Sequence, residues 1–128
     1  ISKYITYFFI WVSNMITLDN LKLKHHEKDA IIEASRLLRE KYHAKEVILF
    51  GSKARGDDDM ESDIDLLVLT DEPVTWTGRK KINDSLYEIQ LKYNVIISPL
   101  ITTVSTWKEG VFSVLPIHDE ISSQGITA

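Results

Sequence analysis

Residues 46–69 read Glu46-Val-Ile-Leu-Phe50-Gly-Ser-Lys-Ala-Arg55-Gly-Asp-Asp-Asp-Met60-Glu-Ser-Asp-Ile-Asp65-Leu-Leu-Val-Leu69. Glu46 to Phe50 is a short apolar run stopped by Gly51-Ser52, the pattern of a buried strand. Asp63 to Leu69 is a second strand, entered with alternation and finished with a continuous apolar run. A tight turn ending at Gly56 leaves the first of them. Gly51 lets the backbone approach a ligand closely or take a positive φ. Ser52 suits the N-cap of a following helical turn. Such a turn offers backbone N–H groups to a phosphate; the Ser52 hydroxyl adds a donor, and Arg55 adds positive charge. The spacing is not that of a Walker loop.

On the second strand, Asp63 and Asp65 share a face, with Cβ atoms ~7 Å apart at twice the strand rise. Their oxygens can converge on a hard cation such as Mg²⁺, which takes a few carboxylates together with substrate phosphates. Ile64 and Leu66 point the other way, into a core. Each half alone has an ordinary explanation: a Gly-Ser turn after a strand, and a strand with an acidic solvent face. Joined by one loop, they make a site for a triphosphate and its metal ions, which bridge phosphates, activate a hydroxyl and stabilise leaving pyrophosphate.

Around this centre the chain is patterned throughout. Ala30, Ile31, Ala34, Leu37, Leu38 and Tyr42 give helical spacing over His25–Tyr42. Its acids Asp29 and Glu33 lie early and its bases Arg39 and Lys41 late, as the helix dipole favours. Pro73 and Gly78 mark a loop, and Ile82, Leu86, Ile89 and Tyr93 mark a second amphipathic helix. Val95 to Ile101 is a third strand, and Pro99 within it predicts an edge position or the strand's end. Trp107–Gly110 and Pro116–Ser122 read as short helices. The expected fold class is α/β (α+β): a small mixed β-sheet with helices packed on one face.

The chain has 128 residues, 15 Lys+Arg against 19 Asp+Glu, a formal net charge of −4 and no cysteine. The size is that of one domain. The acidic balance argues against stable nucleic-acid binding. The lack of cysteine excludes disulfides and thiol nucleophiles and fits a reducing, cytoplasmic compartment. Residues 1–14, ISKYITYFFIWVSN, carry Lys3 as their sole formal charge. Their apolar run is too short to span a membrane, which takes ~20 residues, and lacks a signal cleavage site. The expectation is a domain over 15–128 that starts at Met15, with 1–14 a non-native or flexible extension. The alternative is a genuine N-terminal element packed on the body.

Gly51-Ser52-x-Ala54-Arg55-Gly56 followed by Ser62-Asp63-Ile64-Asp65-Leu66 resembles the signature of the minimal nucleotidyltransferases of the DNA polymerase beta-like superfamily. The order of elements over about 20–110 is similar as well. The resemblance implies the nucleotidyltransferase fold. It also implies transfer of a nucleoside monophosphate from an NTP, with ATP the expected donor, to an acceptor hydroxyl with two Mg²⁺ ions. By position, Gly51 and Ser52 bind the β- and γ-phosphates, Asp63 and Asp65 are the catalytic metal ligands, and Arg55 serves loop structure or a phosphate contact.

The superfamily's third carboxylate, on the next strand, is missing. Asn94, Ile96 and Ser98 line one face there, with Ile96 at the acid's position; Asn94 or Ser98 offers only a weak oxygen. Asp84, Glu88 and Glu109 have no spacing argument behind them. Larger members place the acceptor site in an additional domain, so the resemblance implies that a helical partner protein or a second copy supplies that site here. Two readings follow. One is an enzyme that modifies an acceptor such as a helical, toxin-like partner. The other is a catalytically degenerate nucleotide-binding module, antitoxin-like, for the same partner. Remaining features read as surface: the acidic loop Asp57-Asp58-Asp59 with Glu61, the adjacent His25-His26, and the basic group Arg79-Lys80-Lys81. Trp76, in the loop before the second helix, reads as packing over the sheet edge or stacking on a base or partner.

Overall fold

The computed structural model describes residues 18, 21–57 and 62–128. The boundary expected at Met15 and the acidic residues 58–61 lie outside the described residues.

The elements run α1 (His25–Tyr42), β1 (Glu46–Phe50), α2 (Ser52–Arg55), β2 (Ile64–Thr70), α3 (Trp76–Tyr93), β3 (Ile97–Thr103), α4 (Val104–Glu109), a 3₁₀ turn (Val111–Val114), α5 (Pro116–Gln124) and β4 (Ile126–Thr127). One mixed sheet has the order β3-β2-β1-β4. β1 and β2 are antiparallel, in register from Glu46 opposite Leu69 to Phe50 opposite Asp65. β2 and β3 are parallel, from Ile64 beside Ile97 to Thr70 beside Thr103. Parallel neighbours need a crossover connection, and α3 is that crossover.

The alternation of the strands sorts the core into two layers. Val47, Leu49, Ile64, Leu66 and Val68 point to the face covered by α1 and α3. There they meet Ile31 and Leu38 of α1 and Ile82 and Leu86 of α3, all at most 1% exposed. Burying a side chain of this size contributes about 1.5–3 kcal/mol. The two long helices thus share one face, as expected. Leu67 and Leu69 point to the opposite face, where Trp107 of α4 and Ile121 of α5 cover them. This second layer and β4, which pairs with β1 through Ile48 and Leu49, were not anticipated.

Several boundaries differ for local reasons. Gly51 rather than Ser52 is the N-cap of α2, with φ +75° and ψ −158°. Trp76 is the first residue of α3 rather than part of a loop, because Thr75 caps that helix by accepting from Gly78 N–H at 3.0 Å. Trp76 is 82% exposed, so it does not pack over the sheet edge. β3 starts two residues later than expected because the chain first closes α3: Asn94 takes the left-handed conformation (φ +54°) as its C-cap, and Val95 N–H returns to the Gln90 carbonyl.

β3 is an edge strand, as Pro99 predicts. Ile64 N–H donates to the Ile96 carbonyl, so the odd-numbered residues of β3 turn their backbone groups away from β2. Ile97 N–H goes to Gln90 Oε1 at 2.9 Å. Pro99 has no N–H. The Ile101 carbonyl accepts from Arg79 Nη2 at 3.3 Å. At the other edge, the Ala128 carbonyl accepts from Ser35 Oγ and Arg39 Nη2.

Candidate active site

The site forms where β1 ends and β2 begins. The register sets Phe50 opposite Asp65, so Gly51 stands beside the Asp65 side chain. A Cβ built on Gly51 would lie 2.4 Å from Asp65 Oδ2. The glycine is thus required twice: for its positive φ, which L side chains rarely adopt, and for room for the carboxylate. From Gly51 the chain turns into α2. Ala54 N–H and Arg55 N–H both return to the Gly51 carbonyl, at 3.1 Å. Gly56 closes the turn with φ +80°. Ser52 is the first helical residue, and its N–H has no acceptor within the turn.

Asp63 directly precedes β2 and Asp65 is its second residue. Their alternation places both on the face of Leu67 and Leu69, the one that α4 and α5 cover, while Ile64 and Leu66 enter the main core as expected. Burial pushes the Asp65 carboxyl above its ordinary range, and the negative charge of Asp63 pushes the same way. Arg55 opposes the shift and Glu120 adds to it. A carboxylate so placed favours a cation next to it.

On β3, the register carries Ile96 alongside Asp63 and sets Ser98 beside Asp65. Ile96 is 58% exposed. Ser98 Oγ donates to Asp63 Oδ2 at 2.9 Å. The position beside Asp63 therefore carries an apolar side chain, and a hydroxyl from the next residue on that face reaches the pair. Asn94, a candidate oxygen ligand by sequence, is spent on ending α3. Asp84 pairs with Lys80 at 3.0 Å on the surface of α3, and Glu88 and Glu109 are exposed on α3 and α4. Among the described residues no group of three or more His, Cys, Asp or Glu side chains is arranged to hold a metal.

Two further charged groups reach the turn. Lys53, 2% exposed, pairs with Glu27 Oε2 from the first turn of α1, and Glu27 Oε1 accepts Lys24 N–H at 2.9 Å. Arg55 donates through Nε to Asp57 Oδ2 at 3.2 Å and through Nη1 to Glu120 Oε1 at 2.6 Å. Neither Glu27 nor Glu120 has a signal in the local sequence. A groove of about 700 Å³ runs between α1 and α3, lined in part by Glu33, Ile89 and Lys92. It lies on the helical layer, whereas the carboxylates point to the other face of the sheet, so it is not where they act.

A family model described as a nucleotidyltransferase domain matches residues 31–115. The chain belongs to that family. It is a nucleotidyltransferase, and its matched segment contains Gly51, Ser52, Arg55, Asp63 and Asp65. Two similar curated proteins from Methanocaldococcus jannaschii are each named "Putative protein adenylyltransferase". MJ0141 is 43% identical over 79 residues, covering 62% of this chain and 74% of the relative. MJ0604 is 38% identical over 78 residues, covering 59% and 73%. A solved structure described as "Crystal structure of the toxin-antitoxin with AMP-PNP" has the same fold. Its TM-score is 0.54 at 18% identity, covering 81% of this chain and 72% of that one. Among the described residues no helix of this nucleotidyltransferase is long and apolar enough to cross a membrane.

Proposed function

We propose that this nucleotidyltransferase moves AMP from ATP to a hydroxyl on a helical partner protein, in the cytoplasm and with Mg²⁺. The observation that carries the reading is the pairing of Asp63 and Asp65 on one strand face, with Gly51 against the Asp65 carboxylate. The donor set is hard oxygen, which suits Mg²⁺ held jointly by carboxylates and substrate phosphates. When bound, the ion neutralises phosphate charge and lowers the pKa of the attacking hydroxyl.

The chain's own residues have distinct tasks. Asp63 and Asp65 hold the cation. Gly51 lets the β- and γ-phosphates come close to the backbone. Ser52 donates to them through its hydroxyl and N–H, and Arg55 offsets their charge. The acceptor hydroxyl attacks the α-phosphorus and pyrophosphate departs. The names of the curated relatives support AMP as the transferred group and a protein as the acceptor. The similar toxin–antitoxin structure supports a partner protein and an adenine nucleotide.

The test is incubation with α-labelled ATP, Mg²⁺ and the candidate partner. Label should move to the partner, and Asp63→Asn or Asp65→Asn should abolish the transfer. The exposed Ile96 beside Asp63 favours a second reading, in which the site binds Mg·ATP for an antitoxin-like role without turnover. Tight Mg·ATP binding with no label on any partner decides for that reading. Equal Mg·ATP binding by wild type and the double variant overturns the site assignment.

A further inference from the structure

The phosphate turn contains two basic side chains, and each meets a carboxylate from outside the family match. Lys53 is enclosed with Glu27 of α1. Arg55 is exposed and is held at two points, by Asp57 in its own turn and by Glu120. Glu120 lies 65 positions further along the chain. It sits on α5, past residue 115, where the family match ends.

α5 carries this contact on a helix anchored in the core. Ile121 is buried in the second core cluster, and Ile117 packs against it. The contact is half-exposed, with side-chain exposures of 35% and 40%, and ion pairs at that exposure add little to stability. Its effect on a ligand is different. A free arginine surrenders rotamer freedom whenever it engages an anion. One already held at Nε and Nη1 has surrendered it beforehand, which is preorganisation.

We propose that Glu120 is a positioning residue that holds Arg55 ready for the triphosphate, so that a segment beyond the family match sets nucleotide affinity. This rests on the nucleotide-binding reading above. The role belongs to the acceptor oxygen Oε1 more than to the negative charge, since the charge by itself repels a triphosphate. Glu120→Gln keeps an oxygen acceptor and drops the charge. Glu120→Ala removes both.

The experiment measures the Kd of AMP-PNP with Mg²⁺ by calorimetry on the full chain, with melting temperatures recorded for every variant. Glu120→Ala should weaken binding roughly three- to tenfold, the net worth of one hydrogen bond at a half-exposed site. Glu120→Gln should stay within about twofold of wild type on the same scale. In an Arg55→Ala background, Glu120→Ala should change nothing further. Unchanged or tighter binding by Glu120→Ala overturns the assignment, and so does equal weakening by Glu120→Gln. A loss that persists without Arg55 overturns it as well, because a merely structural α5 contact behaves that way. A wild type that binds no AMP-PNP overturns the parent reading and this one together, whereas failure of the variants alone overturns only this one.

Discussion

Replacing Gly51 with alanine separates the stability of the turn from its chemistry. The residue has φ +75° and ψ −158°, a backbone region essentially restricted to glycine, where an L residue costs about 1–3 kcal/mol. Alanine's smaller unfolded-state entropy returns about 0.4–1 kcal/mol. The net loss is about 1–2 kcal/mol, several degrees of melting temperature in a domain of this size. The steric effect falls elsewhere. The new Cβ would sit 2.4 Å from Asp65 Oδ2, whereas ordinary contact begins near 3.4 Å. The carboxylate end must retreat by about 1 Å, which a short side chain does cheaply. A misplacement of that size costs about 10²-fold in rate, or about 2.7 kcal/mol of barrier. Gly56→Ala is the internal control. It is in the left-handed region, with φ +80° and ψ 15°, and has nothing within 4 Å of its Cβ, so it should lose no more stability than Gly51→Ala and at least about tenfold less activity. Urea denaturation and label transfer from ATP, run on both variants, provide the two readouts. Comparable activity in Gly51→Ala and Gly56→Ala would refute the claim that Gly51 makes room for the Asp65 carboxylate.

Ile96→Asp restores a carboxylate beside Asp63 at an exposed position, so it should cost under about 0.5 kcal/mol of stability. It should raise Mg²⁺-dependent transfer at least about tenfold, measured as initial rate; no increase means that Ile96 does not occupy the acid's place. Asp65→Asn replaces a carboxylate whose pKa is raised by burial and by Asp63. The folded state binds the extra proton, so wild-type stability falls as pH rises from the ordinary value of 3.8 through the raised pKa. Metal-free Asp65→Asn should therefore melt above wild type at pH 7, and Mg²⁺ should stabilise wild type alone. Glu33 behaves oppositely: hydrogen bonds from Tyr93 and Lys92 lower its pKa. Its contribution is present above the unfolded value of 4.5 and lost as pH falls through the lowered one. Glu33→Gln should flatten the acid limb of a stability–pH curve by no more than about 1 kcal/mol, given its exposure; a steeper limb contradicts the assigned sign.

The parts of the fold that were legible in the sequence are those whose burial is periodic. Ala30, Ile31, Ala34 and Leu38 write α1, and Val47 with Leu49 and Ile64 with Leu66 write the inner faces of β1 and β2. The carboxylate pair was legible because two acids at i and i+2 interrupt an otherwise apolar strand. The rest depends on distant packing. β4 has two residues and exists through its pairing with β1. Glu120 reaches Arg55 because Ile121 buries α5 against Leu67 and Leu69, a contact that no local pattern encodes. Lys53 looks solvent-bound in sequence, and its burial is tolerated because Glu27 comes from another element. The left-handed Asn94 is readable, since asparagine favours that cap, but placing it on one strand face with Ile96 and Ser98 absorbs it.

The outer side of β3 has a consequence for any protein that docks there. An exposed sheet edge normally offers a row of donors and acceptors onto which a partner adds a strand. Here Ile97 N–H is already held by Gln90, Pro99 has none to give, and the Ile101 carbonyl is taken by Arg79. β3 also runs beside Asp65 through Ser98, so this partly blocked edge flanks the proposed carboxylate pair, and it offers backbone recognition fewer groups to grip. A partner that docks along this edge therefore depends more on side-chain shape and charge than on strand pairing.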